Sequence, residues 1–562
     1  MMKKNIAFLS IFILINNSQA FSNPTGPLLK KPKLIVVIII DQFRADYLTR
    51  FNERFLPAKN SSGSVGGFNY LISNGAYFPY AQYDVLQSMT GPGHSTLLSG
   101  AYPYQSGIPL NDWYDSEQGK ITYCVEDEGS PIVGPLDYKD LKGMSPKNFI
   151  GSTIGDELKN AGYPSKVISI ALKDRAAILL GGHRADLALW FEPKSFQWVS
   201  SKYYLPEGNL PTWVTQLNEE VKIKKAPIKI WSTKLQETMN SYFSTTNSYP
   251  NETKLISKIG PVFNHNIAAC SPEELSSPYG IELTAQAALR ALDFYQLGKN
   301  KTPDLLALSF SSHDYVGHAF GPNSKEMEDM TVSEDRVIST FLNSLKRKIP
   351  GGLNEVVVVL SADHGVAPNA DWLSKNKMSS GRVDVKALKE KLENHLNSKF
   401  GNFDSLKGWI AFSVDFNYFI NREAIKSKKI NITDVENEIV KVLKTEEAFA
   451  QVFTHTDYEN KRLPPQMHER QILKTYFQGR SGDVIAIPKP FFVNSDGNST
   501  THMTGYSYDR TVPLIISGAA FKHGLIPKMV DVIDIAPTLS LLNGTVPPSS
   551  SEGRVLTEAF KP

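Results

Sequence analysis

Cysteine is nearly missing: the chain holds two, Cys124 and Cys270. Two cysteines cannot staple 562 residues, so a disulfide scaffold is excluded and a hydrophobic core must carry the stability. In an oxidising compartment the pair could bridge or stay as two buried thiols. An excess of one charge is missing too. Lys and Arg number 60 against 57 Asp and Glu, which leaves no electrostatic footprint for nucleic acid. Internal repeats and low-complexity blocks are absent. Past the N-terminus, no run is apolar for long enough to cross a bilayer.

What is there begins with a leader. Lys3 and Lys4 precede an apolar run from Ile6 to Ile15, and Ser18 and Ala20 are small. Residues 1–20 read as a signal peptide, which implies a periplasmic or secreted protein with no membrane attachment after cleavage. Loss of Lys3 and Lys4 lowers the formal charge from +3 to about +1. The chain as a whole is 41% hydrophobic, enough for residues 21–562 to form one large α/β domain with insertions or two to three smaller ones.

Leu34 to Ile40 is an unbroken aliphatic run that ends at Asp41, as expected of a strand buried on both faces of a parallel sheet. Val167–Ala171, Leu187–Phe191, Asp304–Phe310, Glu355–Leu360, Val484–Ile487 and Pro513–Ser517 read the same way. Helices fit 154–160, 282–297, 326–347 and 531–542 between them. The alternation predicts an α/β fold: a mostly parallel sheet covered by helices on both faces. Residues 192–280 turn aromatic and irregular, with Trp198, Tyr203, Tyr204 and Trp213 in hairpin-like pieces, and read as a cap insertion. A second, α+β insertion spans 368–480. In it Val385, Leu388, Leu392 and Leu396 line one helix face, a strand falls near 411–420, and Thr433 with Glu436 suggests a capping box.

The stretch Gln87-Ser88-Met89-Thr90-Gly91-Pro92-Gly93-His94 reads as a loop entering a short helix, with Thr90 at the N-cap and Pro92 in the first turn. Gly91 and Gly93 bare the backbone, so an anion could approach N–H groups at a helix start, beside a candidate nucleophile at Thr90. Ligands in open α/β sheets bind at the carboxyl ends of the strands. That edge collects Asp41, Thr90, Lys173, Asp314, His318, Asp363 and His364, carboxylates and imidazoles that suit zinc. Asp314 and His318 are one helical turn apart and share a face. Asp363 and His364 can serve one site where the strand breaks at Gly365, and His502 in a Thr- and Gly-flanked loop is a plausible last ligand.

Together these motifs resemble the alkaline phosphatase superfamily, nearest its threonine-nucleophile bacterial phosphatases of the PafA type. The residues that carry the resemblance are Asp41-Gln42-Phe43-Arg44-Ala45-Asp46, Thr90-Gly91-Pro92-Gly93-His94, Asn111-Asp112-Trp113-Tyr114, Lys173-Asp174-Arg175, Asp314-Tyr315-Val316-Gly317-His318, Asp363-His364-Gly365 and Thr501-His502. The resemblance implies an alkaline-phosphatase-like fold and two zinc ions per chain. Asp41, Asp363 and His364 would hold one, completed by Thr90; Asp314, His318 and His502 would hold the other. It further implies attack by Thr90 on phosphorus through a phosphothreonine. Asn111 and the Gly91 N–H would donate to the substrate's non-bridging oxygens, and Lys173 and Arg175 would do so with full charge. By the same resemblance, Lys173 would take the place where some members keep a third metal.

The expected function is hydrolysis of small-molecule phosphate monoesters by a monomer. A phosphodiesterase or nucleotide pyrophosphatase of the same superfamily is the first rival. A diester lacks the dianionic face that would satisfy both Lys173 and Arg175. A sulfatase would need a Cys or Ser followed by Pro and Arg where Thr90-Gly91-Pro92-Gly93 stands. A zinc-stabilised binding protein without activity would not need the nucleophile.

Overall fold

The computed structural model describes residues 30–135, 141–223, 228–233, 254–260, 263–403, 408–463, 468–495 and 497–562. The expected signal peptide lies outside them. Eight strands make most of the main sheet: β1 (Leu34–Ile40), β2 (Gly75–Gln82), β3 (Val167–Ala171), β4 (Leu187–Glu192), β5 (Gln197–Ser201), β6 (Asp304–Phe310), β7 (Val356–Ser361) and β8 (Thr511–Ser517). Their spatial order is β2-β8-β7-β1-β6-β3-β4-β5, and short strands at 132–133, 524–525 and 529–531 bring the total to eleven. The centre is parallel, as expected, but β8 runs antiparallel to both β7 and β2, and β5 antiparallel to β4. The sheet is therefore mixed.

Every side chain of β1 is buried, because β1 is flanked on both sides by parallel strands and covered on both faces. Register places the site. Ile39 lies opposite Ser309 of β6 and Ser361 of β7, and Ser309 lies opposite Ala171 of β3. Four neighbouring strands thus end at one level, and the residues after each are brought together.

Five helices matter most: α1 (Thr90–Leu97), α2 (Asp174–Gly181), α3 (Pro278–Phe294), α4 (Ser312–Phe320) and α5 (Lys325–Lys348). The expected helices at 282–297 and 326–347 correspond to α3 and α5 within a few residues. Acidic residues of α5 are buried and partnered: Glu334 accepts from His313 Nδ1 (2.9 Å), and Asp335 accepts from the N–H groups of Leu56 and Phe68.

Several local expectations fail for identifiable reasons. The strand expected near 411–420 is a hairpin, Ile410–Val414 and Asn417–Ile420, turned by Asp415 and Phe416 at positive φ. Val484–Pro488 pairs with that hairpin and with Phe449–Thr454 in a separate four-stranded sheet, not with the main one. Its Val484 and Ala486 pack in a separate hydrophobic cluster with Leu392, Trp409 and Ile439. Trp213 sits on a helix, Thr212–Ile223, not in a hairpin. Asn431 precedes the helix Ile432–Leu443, so Thr433 and Glu436 form no capping box. Thr433 Oγ1 instead meets Thr456 Oγ1 at 3.1 Å. Cys124 and Cys270 are both free.

Candidate active site

Asp41 follows β1, Lys173 follows β3, Asp314 and His318 lie on α4 after β6, and Asp363 and His364 follow β7. His502 comes from the loop before β8. All seven are largely withdrawn from solvent: Asp41, Asp314, Asp363, His364, Lys173 and His502 are buried, and His318 is mostly so. The constellation expected from the sequence converges.

Thr90 is the first residue of α1, not its cap. Met89 holds the extended N-cap geometry and makes no side-chain cap bond. The Thr90 hydroxyl is therefore not spent on the helix, and Lys173 Nζ (3.3 Å) and Arg175 Nη2 (3.4 Å) converge on its Oγ1. Lys173 and Arg175 are not in a loop. Lys173 is the N-cap of α2 and Arg175 lies in its first turn. The helix start aims both cations at Thr90. Gly93 lets α1 approach, since a Cβ there would lie 2.4 Å from the Asp363 carbonyl oxygen. Gly91 N–H, expected to face substrate, donates to Asn111 Oδ1 (2.8 Å). It orients the carboxamide and leaves Asn111 Nδ2 as the outward donor.

The three imidazoles are held alike. Nδ1 of His318 meets Thr500 O at 2.9 Å, Nδ1 of His364 meets Gly365 O at 2.9 Å, and Nδ1 of His502 meets Ser88 O at 2.6 Å. A carbonyl accepts and never donates, so each Nδ1 carries the hydrogen and each Nε2 presents a lone pair when neutral. Those lone pairs face carboxylates. His318 Nε2 is 3.2 Å and His502 Nε2 3.7 Å from Asp314 Oδ1; His364 Nε2 is 3.5 Å from Asp41 Oδ1 and 3.4 Å from Asp363 Oδ2. Burial and the neighbouring His364 and His318 hold His502 well below the usual imidazole range, and burial lowers His364 also. His318 is raised, because Asp314 outweighs its burial.

Each carboxylate divides its oxygens. Lys173 Nζ takes Asp41 Oδ2 (2.7 Å) and Asp314 Oδ2 (2.6 Å). Asp363 Oδ1 accepts from the N–H groups of Gln42 (3.1 Å) and His364 (2.9 Å). Burial, then the Asp363 charge, pushes the Asp41 carboxyl well above its usual range despite Lys173. Burial opposes ionisation of Asp314 and Asp363 too. Lys173 and His318 overcome it at Asp314, and His364 and His94 do so at Asp363, so both sit below the usual range.

A lone pair facing a carboxylate is repulsive unless a cation lies between them. Asp41 Oδ1 and His364 Nε2 are buried with no hydrogen-bond partner. Such orphaned acceptors fit a divalent cation. Two groups offer ligand atoms within 4.8 Å of one another: Asp41, Asp363 and His364, and Asp314, His364 and His502. The first matches the expected set. In the second, His364 stands where His318 was expected, because the His364 and His502 rings stack 3.7 Å apart. His364 is common to both groups, and His318, with Nε2 3.2 Å from Asp314 Oδ1, lies beside the second without belonging to it.

Two residues quoted in the motifs carried no role at first. His94 Nδ1 reaches Asp363 Oδ2 (3.0 Å) and the Thr90 carbonyl (2.9 Å), while Nε2 meets Ser309 Oγ (2.8 Å). Its spacing of one turn from Thr90 was the available signal. Gln42 bonds both Asp363 and Asp314, and nothing in its position foretold that. Tyr123 supports Arg175: its OH accepts from Arg175 Nη1 (3.1 Å) and donates to Asp174 Oδ1.

A model of the type I phosphodiesterase / nucleotide pyrophosphatase family matches residues 35–507. The chain belongs to that family. Among its relatives, alkaline phosphatase PafA of Elizabethkingia meningoseptica is 33% identical over 538 residues, 94% of this chain and 95% of that one. A Myroides odoratus protein named a calcium-transporting ATPase is 34% identical over 543 residues, 95% of each chain. The crystal structure of wild-type alkaline phosphatase PafA matches with a TM-score of 0.86 at 31% identity, over 95% of this chain and 99% of that one. This member of the family is a hydrolytic phosphatase with an alkaline-phosphatase-like fold. Among the described residues no helix is long and apolar enough to cross a membrane.

Proposed function

We propose that the chain is a periplasmic or secreted hydrolase of small-molecule phosphate monoesters, working through a phosphothreonine on Thr90 at a two-zinc site. The observation that carries this reading is the convergence of Lys173 Nζ and Arg175 Nη2 on Thr90 Oγ1, at 3.3 and 3.4 Å. A phosphoryl group seated on Thr90 would meet two cations, which matches the dianion of a monoester.

Asp41, Asp363 and His364, with Thr90 Oγ1, would hold one zinc; Asp314, His318 and His502 would hold the other. Mixed imidazole and carboxylate donors suit that ion. When bound, the ions supply Lewis-acid charge at the attacking and leaving oxygens. The chain does the rest. Thr90 Oγ1 bonds to phosphorus as the bond from phosphorus to the ester oxygen breaks, and the proton lost from the hydroxyl is balanced by the one the departing alcohol takes up. Asn111 Nδ2 donates to one non-bridging oxygen, and Lys173 and Arg175 hold the others. Water then cleaves the phosphothreonine and restores the hydroxyl. The export reading rests on Lys3, Lys4 and the apolar run from Ile6 to Ile15.

The nearby hydroxyls are occupied elsewhere. Ser88 donates to Thr504 O, and Ser95 and Thr96 donate to Pro92 O. Acid quenching during turnover, followed by mass spectrometry, should find phosphate on Thr90. Phosphate on Ser88, Ser95 or Thr96 would overturn the assignment. The family match favours one other reading, a phosphodiesterase, and the Arg175 substitution developed below separates the two.

A further inference from the structure

The two ligand sets follow different strands, and besides Lys173 a second residue outside both of them, Gln42, touches each. Gln42 donates its backbone N–H to Asp363 Oδ1 at 3.1 Å and its side-chain Nε2 to Asp314 Oδ1 at 2.7 Å. Asp363 belongs to one set and Asp314 to the other. The conformation that permits this is unfavourable for a side chain. Gln42 has φ +68°, in the left-handed region that non-glycine residues seldom adopt. Strain of that kind persists where the surroundings over-determine it, and it collects at functional sites. Here the surroundings include Gly317. A Cβ on Gly317 would lie 1.8 Å from Gln42 Oε1, so α4 must present a bare backbone for the Gln42 carboxamide to lie against it.

We propose that Gln42 is a positioning residue that ties the two metal-ligand sets together, fixing Asp314 relative to Asp363 through its side chain and backbone. The proposal rests on the two-metal reading above. It follows that the two contacts are separable. Asp314 Oδ2 is held by Lys173, and on Oδ1 the Gln42 amide at 2.7 Å is nearer than His318 Nε2 at 3.2 Å, so Gln42 is the closer constraint on where Oδ1 points. Asp363 Oδ1 is held by main-chain groups and does not need the Gln42 side chain.

Gln42→Asn is the informative substitution. Asparagine tolerates the left-handed region better than glutamine, so the backbone bond to Asp363 is retained. Its side chain is one methylene shorter and cannot reach Asp314. Gly317→Ala reaches the same end from the other side, by pushing the carboxamide away. The measurement is zinc binding to the full chain against a competing chelator, with no substrate present. Loss of an outer partner of a metal ligand typically lowers affinity about 10–100-fold. The expected result is that one of two zinc-binding classes weakens by that factor in both variants, and that it is the class His318→Ala removes. Circular dichroism and thermal melts check that both variants fold. Unchanged binding, or equal weakening of both classes, would overturn the proposal. The outcome is distinguishable from failure of the functional reading. Two zinc classes without phosphate-ester turnover would sink the enzyme assignment and leave the role of Gln42 standing.

Discussion

Replacing Arg175 by alanine removes one cation from Thr90 and little else. The guanidinium sends Nη2 toward Thr90 Oγ1 (3.4 Å) and Nη1 to the Tyr123 hydroxyl (3.1 Å). It contacts none of the proposed metal ligands other than Thr90. A charge-assisted hydrogen bond contributes about 1.5–3 kcal/mol. At about 1.4 kcal/mol per power of ten, monoester hydrolysis should fall about 10- to 100-fold. A diester presents two non-bridging oxygens and one charge, which Asn111 and the metal site can serve without Arg175, so its hydrolysis should barely change. Lys173 is a different case, although the sequence suggested an equivalent pair. Its ammonium bonds Asp41 Oδ2 and Asp314 Oδ2 as well as facing Thr90. Lys173→Ala leaves two buried carboxylates without their cation, so both monoester and diester turnover should collapse. The assay is kcat/KM for matched aryl monoester and diester substrates on zinc-loaded Arg175→Ala. Equal losses for the two substrates would refute the reasoning, and the phosphodiesterase reading would then take first place.

Chelation should abolish hydrolysis and zinc should restore it, with two zinc ions per active chain by elemental analysis; one per chain breaks the two-site scheme. Glu436 gives a stability test. Burial pushes its carboxyl up to about 7 from the usual 4.5, against the opposing hydrogen bonds from Thr456. Between those values the folded protein holds a proton that the unfolded chain releases, so stability should decline as pH rises from about 4.5 through 7. Glu436→Gln should flatten that decline, and a melting profile as steep as the parent's would count against it. Gly93→Ala puts a Cβ 2.4 Å from the Asp363 carbonyl, a backbone contact that cannot yield cheaply. It should lower kcat by displacing Thr90 from Asp363, and unaltered kcat would show that α1 can shift without cost.

The sheet was legible because burial on two faces leaves an unmistakable run. Leu34–Ile40, Val167–Ala171 and Asp304–Phe310 were read to the residue, and Glu355–Leu360 was one residue early. The same rule misplaced Val484–Pro488, since an apolar run reports burial and not which sheet does the burying. The ligands were legible as residue types at strand ends. What held them was not. Gln42 acts through a left-handed backbone, His94 through a contact across to Asp363, and Gly91 through an amide it donates to Asn111. Those are properties of the assembled edge, invisible in a linear string.

The charge balance of that edge explains why so many protein donors are committed. Asp41, Asp314 and Asp363 bring three carboxylates into one buried space, and Lys173 is the ammonium that touches two of them. One ammonium cannot neutralise three charges at low dielectric. Without metal, the imbalance falls on Asp41, whose carboxyl is driven upward by burial and by Asp363. A proton on Asp41 relieves the repulsion, and a divalent cation held by Asp41, Asp363 and His364 would relieve it more completely and would displace that proton. The imidazoles complete the logic. With Nδ1 hydrogens tied to the carbonyls of Thr500, Gly365 and Ser88, each offers Nε2 as a lone pair and gains from a cation what it would lose to a carboxylate. Metal affinity at this edge should therefore rise with pH as ligand protons leave, and the rigid backbone carbonyls behind the imidazoles keep the site from collapsing onto itself before the metal arrives.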